Sequence, residues 1–148
     1  MPDPQPGAAP DPAKLRHQIQ FVRDTLRRLG EIRARGPEAF LSDHILQAAA
    51  VRGLQIGVEA VLDAANHIIA REGLGLPRTY QESIDLLIRH GVLPRDRADA
   101  FAAMVRFRNR AVHLYDEIDP AEILRILDGH LGDFEAFIAA IVERYLRR

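Results

Sequence analysis

From Leu15 to Ile141 the apolar residues of this chain recur every three or four positions, and no stretch alternates with the period of two that a strand requires. That period restricts the chain to helices packed on helices. Start and stop signals divide the pattern. Asp11-Pro12 reads as an N-cap with proline at the first helical position, opening a helix from about Pro12 to Arg35 that Gly36-Pro37 ends. Its apolar row is Leu15, Ile19, Val22, Leu26, Leu29 and Ile32. The second and longest helix runs from about Pro37 or Ser42 to Arg71, with Leu46, Ala50, Leu54, Val58, Val61, Leu62, Ala65 and Ile68 inward. After a loop at Gly73–Pro77, Thr79 and Glu82 have capping-box spacing and start a short helix to about His90. A fourth helix runs from near Pro94-Arg95-Asp96 to Tyr115 or Asp116. Asp119-Pro120-Ala121-Glu122 opens a fifth, reaching about Leu146, with Ile123, Ile126, Leu127, Leu131, Phe134, Ile138, Ile141 and Val142 inward. The expected fold is all-α, an antiparallel bundle of about five helices with short connections.

One strip of the long helix is built of small residues: Ala49, Gly53, Gly57, Ala60 and Ala64. It admits close approach by another helix, from the same bundle or from a second protomer. Residues 1–12 hold five prolines and little to bury, and read as a disordered tail ahead of a helical domain at 13–148.

Charge and cysteine content narrow the function. Twenty basic residues face 21 acidic ones, for a net charge of -1, so bulk attraction to nucleic acid is excluded and any RNA contact must be local. The absence of cysteine removes disulfides, thiolate metal sites and a cysteine nucleophile. The N-terminus lacks the basic and apolar regions of a secretory signal, and no apolar run approaches the roughly 20 residues of a bilayer span. The expectation is a cytoplasmic protein without membrane association.

Chemistry concentrates at Phe107–Asp116, where Arg108, Asn109, Arg110, His113 and Tyr115 fall within a few helical turns. On an ideal helix Arg106, Asn109, Arg110 and His113 share a face, because positions four apart differ by about 40°. Arg108 and Tyr115, seven apart, align to about 20°, whereas Arg108 and His113 diverge by about 140°. Those two reach one phosphate only if the arginine stem wraps round, the helix distorts, or a second subunit supplies one of them.

Metal-free RNA cleavage needs a base for the ribose 2'-OH, an acid for the departing 5' oxygen, and positive charge at the phosphate. Histidine serves either proton role and arginine grips phosphate through a planar fork. Asn109 could donate to phosphate or hold the imidazole. Purely structural roles compete: Arg108 could pair with Asp116 or Asp119, and His113 could cap the helix end near Glu117.

The run Phe107-Arg-Asn-Arg-Ala-Val-His-Leu-Tyr-Asp-Glu-Ile-Asp119 resembles the signature of the HepT-like toxins, a branch of the HEPN superfamily. Leu46–His67 resembles that family's long second helix, and Thr79–Val92 its next element; the likeness covers about residues 13–146. The resemblance implies a HEPN-like helical homodimer with the Arg-x4-6-His motif in the cleft between protomers. It implies a metal-independent endoribonuclease cutting cellular RNA, without cofactor. It also implies a minimal nucleotidyltransferase antitoxin of the MntA type that transfers AMP to the motif tyrosine. Carried over, Arg108 and His113 are the catalytic pair, Asn109 the polar assistant and Tyr115 the modified residue.

A rival reading keeps fold, partner and tyrosine but drops catalysis: a non-catalytic interaction or nucleotide-binding module serving a nucleotidyltransferase. Glu59, Asp63 and His67, each four apart, form a further stripe that reads as satisfied polar groups, with Asp63 and His67 supporting the motif from behind as the alternative. A metal carboxylate protein is disfavoured, because two Glu-x-x-His helices are lacking. Gly73-x-Gly75 lacks the context of a phosphate loop.

Overall fold

The computed structural model describes residues 7–147. Among them the chain forms seven α-helices and no strand: α1 (Pro12–Arg33), α2 (Pro37–Ser42), α3 (His44–Glu72), α4 (Tyr80–Arg89), α5 (Ala98–His113), α6 (Pro120–Gly129) and α7 (Leu131–Ile141). The all-α expectation holds, with two of the five expected helices each divided.

The first division lies at Asp43. Its extended backbone (φ -124°, ψ 103°) leaves the helix, and its carboxylate accepts from the Ile45 amide at 2.9 Å and the Leu46 amide at 3.3 Å. Asp43 is thus the N-cap of α3, and the segment before it survives only as the six-residue α2. The second division lies at His130 (φ -123°, ψ 1°), between the poor helix formers Gly129 and Gly132. The bend lets α7 turn inward, where Phe137 meets Phe101 edge-on with ring centroids 6.2 Å apart. Beyond Ile141 the chain closes with a π-helical turn over Val142–Leu146.

α3 is the central element, buried at Ala50, Leu54, Val58, Val61, Leu62, Ala65 and Ile68 as its sequence period requires. By length and composition it could cross a membrane, which the sequence reading did not foresee; here its apolar residues form the bundle core. The small-residue strip is used inside the bundle. A Cβ on Gly53 would lie 2.8 Å from Leu29 of α1, and one on Gly57 would lie 3.2 Å from Phe134 of α7. Gly73, left-handed at φ 66°, ends α3, and the Leu74 amide returns to the Ile69 carbonyl at 3.0 Å.

Thr79 caps α4 by accepting from the Glu82 amide at 3.1 Å, while Glu82 reaches back one residue further than a capping box requires, to the Arg78 amide at 2.5 Å. The N-terminal segment departs from the expected tail. Pro10 is buried, the Ala9 carbonyl accepts from Arg71 Nε at 3.0 Å, and the Asp11 amide donates to His67 Nε2 at 2.9 Å. Residues 1–6 of that expectation lie outside the described residues.

Candidate functional site

α5 begins after a 3-10 turn at Arg95–Arg97 and packs across α3 and α4. Phe107 and Ala111, both buried, anchor its final turns, so the intervening polar residues are fixed in direction. Arg108 points toward α3 and α4. Its Nε donates to Glu59 Oε1 at 3.3 Å, one terminal nitrogen donates to Asn109 Oδ1 at 3.3 Å, and the guanidinium lies 4.9 Å from the Tyr80 ring centroid. Glu59 is itself steadied by Gln55 Nε2, at 3.0 Å. The Arg108 side chain is only 18% exposed, held by Glu59 of α3, Tyr80 of α4 and its neighbour Asn109.

Arg110 points the other way. Its two terminal nitrogens meet the two carboxylate oxygens of Glu122 on α6, at 2.5 and 2.9 Å. That fork holds the Glu122 carboxyl below its ordinary range and pushes the Arg110 guanidinium further up. Arg106 and Arg110 line a cleft together with Met104, Phe107 and Phe134. The shared face expected for Arg106, Asn109, Arg110 and His113 is therefore divided: Asn109 turns to Arg108, and Arg110 is committed to α6.

His113 is the last residue of α5 and is exposed. Leu114 (φ -133°, ψ 38°) breaks the helix there, short of the expected end at Tyr115 or Asp116. Tyr115 lies in a separate 3-10 turn, Tyr115–Glu117, held by buried Ile118, whose amide donates to the Tyr115 carbonyl at 3.3 Å. The seven-residue alignment of Arg108 with Tyr115 depended on an unbroken helix and does not survive the break. Tyr115 is 48% exposed, beside Leu114 at 48% and Val112 at 40%, which leaves its ring open to a partner.

In the Glu59, Asp63, His67 stripe, Glu59 is the residue that meets the motif. His67 accepts from Asp11 and Asp63 is exposed. Burial, together with the positive charges of Lys14 and Arg71, lowers the His67 pKa. No group of three metal-ligating side chains forms among the described residues. Neither Asp116 nor Asp119 pairs with Arg108; Asp119 instead caps α6 through the Ala121 amide at 2.9 Å. Sequence reasoning missed Tyr80 and the Arg110–Glu122 fork altogether. Tyr80 was legible only as part of a cap, and Glu122 only as the third residue of a helix start.

The family described as ribonuclease HepT-like matches residues 22–141. An mRNA nuclease HepT from Shewanella oneidensis is 32% identical over 125 residues, spanning 84% of this chain and 93% of that protein. A tRNA nuclease HepT from Aphanizomenon flos-aquae is 24% identical over 131 residues, spanning 88% and 89%. Among solved structures, the tri-AMPylated S. oneidensis HEPN toxin in complex with MNT antitoxin is similar with a TM-score of 0.83 at 30% identity, covering 88% of this chain and 98% of that one.

Proposed function

The chain belongs to the ribonuclease HepT-like family, and from that premise we propose that it is a metal-independent endoribonuclease toxin whose site is Arg108, Asn109 and His113. The observation that carries this reading is a guanidinium held by Glu59, Asn109 and Tyr80, one and a half turns before an exposed histidine at the end of the same helix. Arginine supplies positive charge where the pentacoordinate phosphate forms. His113 takes the proton of the 2'-OH as that oxygen attacks phosphorus, or returns a proton to the departing 5' oxygen. The bond to the 5' oxygen breaks and a 2',3'-cyclic phosphate remains. Arg108 turns to α3 and α4 while His113 stands free at the helix end, an arrangement that favours a composite site in a homodimer.

The relatives named as mRNA and tRNA nucleases support RNA as the substrate class. The S. oneidensis complex supports a nucleotidyltransferase of the MntA type as partner and antitoxin. In this reading the Tyr115 oxygen attacks the α-phosphorus of ATP, a tyrosyl–AMP bond forms, and pyrophosphate and the phenolic proton leave. The new phosphodiester adds bulk and negative charge two residues from His113. Inhibition therefore acts at the histidine end of the site.

The Glu59 ion pair favours a second reading. A guanidinium already neutralised by a carboxylate suits a nucleotide-binding module that pairs with the transferase and cuts nothing. One experiment separates the two: RNA cleavage in EDTA by the unmodified protein, beside His113→Ala and Arg108→Ala at matched folding. Cleavage by the wild type alone supports the nuclease; no cleavage by any of the three, with Tyr115 unmodified by mass spectrometry, supports the module.

A further inference from the structure

Between the C-terminal half of α3, the loop at 73–79 and the first turn of α4 lies an open cleft of about 460 Å³, the size class of small-molecule sites. It lies outside the motif, yet one side chain joins the two: Tyr80 lines the cleft and its ring carries the Arg108 guanidinium at 4.9 Å. Ile69, Ala70 and Pro77 supply apolar walls. Leu76 is 96% exposed at the mouth, an apolar side chain with no packing role in the bundle. The polar lining is Asn66, Arg78, Thr79 and Ser83, beside the Tyr80 ring. Ser83, 1% exposed, donates its hydroxyl to Asn66 Oδ1 at 2.6 Å, the Thr79 carbonyl standing further off at 3.3 Å. That bond fixes the amide, and its NH2 group makes no hydrogen bond among the described residues. The loop is held in place at Gly75 (φ 151°), where a Cβ would lie 3.1 Å from Leu86 of α4.

Resting on the ribonuclease reading, we propose that this cleft is the subsite for the base beside the scissile phosphate, and that Asn66 selects a base edge presenting a hydrogen-bond acceptor. Single-stranded RNA is read by unstacked bases set against aromatic rings and hydrogen-bonded at their edges. The cleft offers an aromatic ring, apolar walls and one oriented amide donor. Through Tyr80 it adjoins the guanidinium assigned to the phosphate. Specificity in a chain of net charge -1 must come from such local contacts.

The test has two arms. Cut sites on a pooled single-stranded RNA are mapped for the wild type, Asn66→Asp and Leu76→Ala. Asn66→Asp keeps the acceptor for Ser83 and exchanges the donor for a second acceptor. Separately, His113→Ala is titrated with the four nucleoside 3'-monophosphates while the Asn66 side-chain amide is followed by NMR. The expected result is a base preference at one position beside the cut, altered about tenfold by Asn66→Asp, the scale of one hydrogen bond gained or lost. The amide signal shifts with the preferred nucleotide. Cleavage with an unchanged preference and a silent amide overturns the subsite and leaves the nuclease intact. A shifting amide without cleavage by the wild type overturns the nuclease and leaves a base site. Failure of both arms removes both.

Discussion

Glu59 Oε1 lies 3.3 Å from Arg108 Nε, joining the middle of α3 to the last turns of α5 across 49 residues of sequence. The side chains are 32% and 18% exposed, so solvent screens the pair and its worth to stability is about 0.5–1 kcal/mol. Its larger effect is on direction, because it holds the guanidinium against Tyr80. Glu59→Ala is expected to lower kcat for RNA cleavage about tenfold or more with little change in melting temperature, as loss of a positioning contact does. Glu59→Gln, which keeps the accepting oxygen, is expected to stay within a few-fold of wild type. Steady-state kinetics on a short RNA reads the difference; equal effects of the two substitutions would show that orientation of Arg108 is not what Glu59 supplies.

Tyr115 stands on its own turn beyond the end of α5, half exposed. Tyr115→Phe removes only the hydroxyl and should leave RNA cleavage within about twofold of wild type, since no bond to the fold is lost. Incubation with the transferase partner and ATP should then fail to inhibit the variant. Neutralisation of Tyr115→Phe under those conditions would move the modification to another residue.

His67 ties the N-terminal segment to α3 by accepting from the Asp11 amide, which requires an unprotonated Nε2. Burial and the nearby cations Lys14 and Arg71 lower its pKa below the ordinary 6.5, against the smaller opposing pull of Asp11. The folded state thus binds the proton less readily than the unfolded one. Stability from this group is full above the ordinary value and is lost as pH falls below about 6.5 toward the lowered one. Denaturant midpoints between pH 7 and 5 should fall less for His67→Gln than for wild type, and the protection of the Asp11 amide against exchange, relative to its intrinsic rate, should fall toward the acid end in wild type alone. Parallel midpoint curves for the two proteins would contradict this assignment.

Phe137 is 1% exposed and meets Phe101 edge-on, which joins α7 to α5. Phe137→Ala is expected to cost about 3–5 kcal/mol through lost burial and the cavity left behind. Phe21→Ala, on a residue 40% exposed, should cost under about 1 kcal/mol. Chemical denaturation of the two variants checks the contrast.

The sequence by itself determined the helical class, most helix starts and the residues of α3 that form the core. Those properties are local: a period of three to four, an Asp-Pro or Thr-x-x-Glu at a start, and a glycine at an end act within one or two turns. The family signature was legible for the same reason, as a short contiguous run. The breaks at Leu114 and His130 were not, and the start at Asp43 was legible only as one of two alternatives, near Pro37 or near Ser42. At each, a competing backbone contact or the direction of packing outweighed a weak helical preference. Tertiary structure alone decided which way each polar residue of α5 turned. It sent Arg108 to Glu59 and Tyr80, committed Arg110 to Glu122, and left His113 and Tyr115 open. Each of the three bound partners comes from another element, 12 to 49 residues away along the chain. No periodicity encodes a meeting at that distance; the packing of α5 across α3 and α4, with α6 brought within reach of Arg110, creates it.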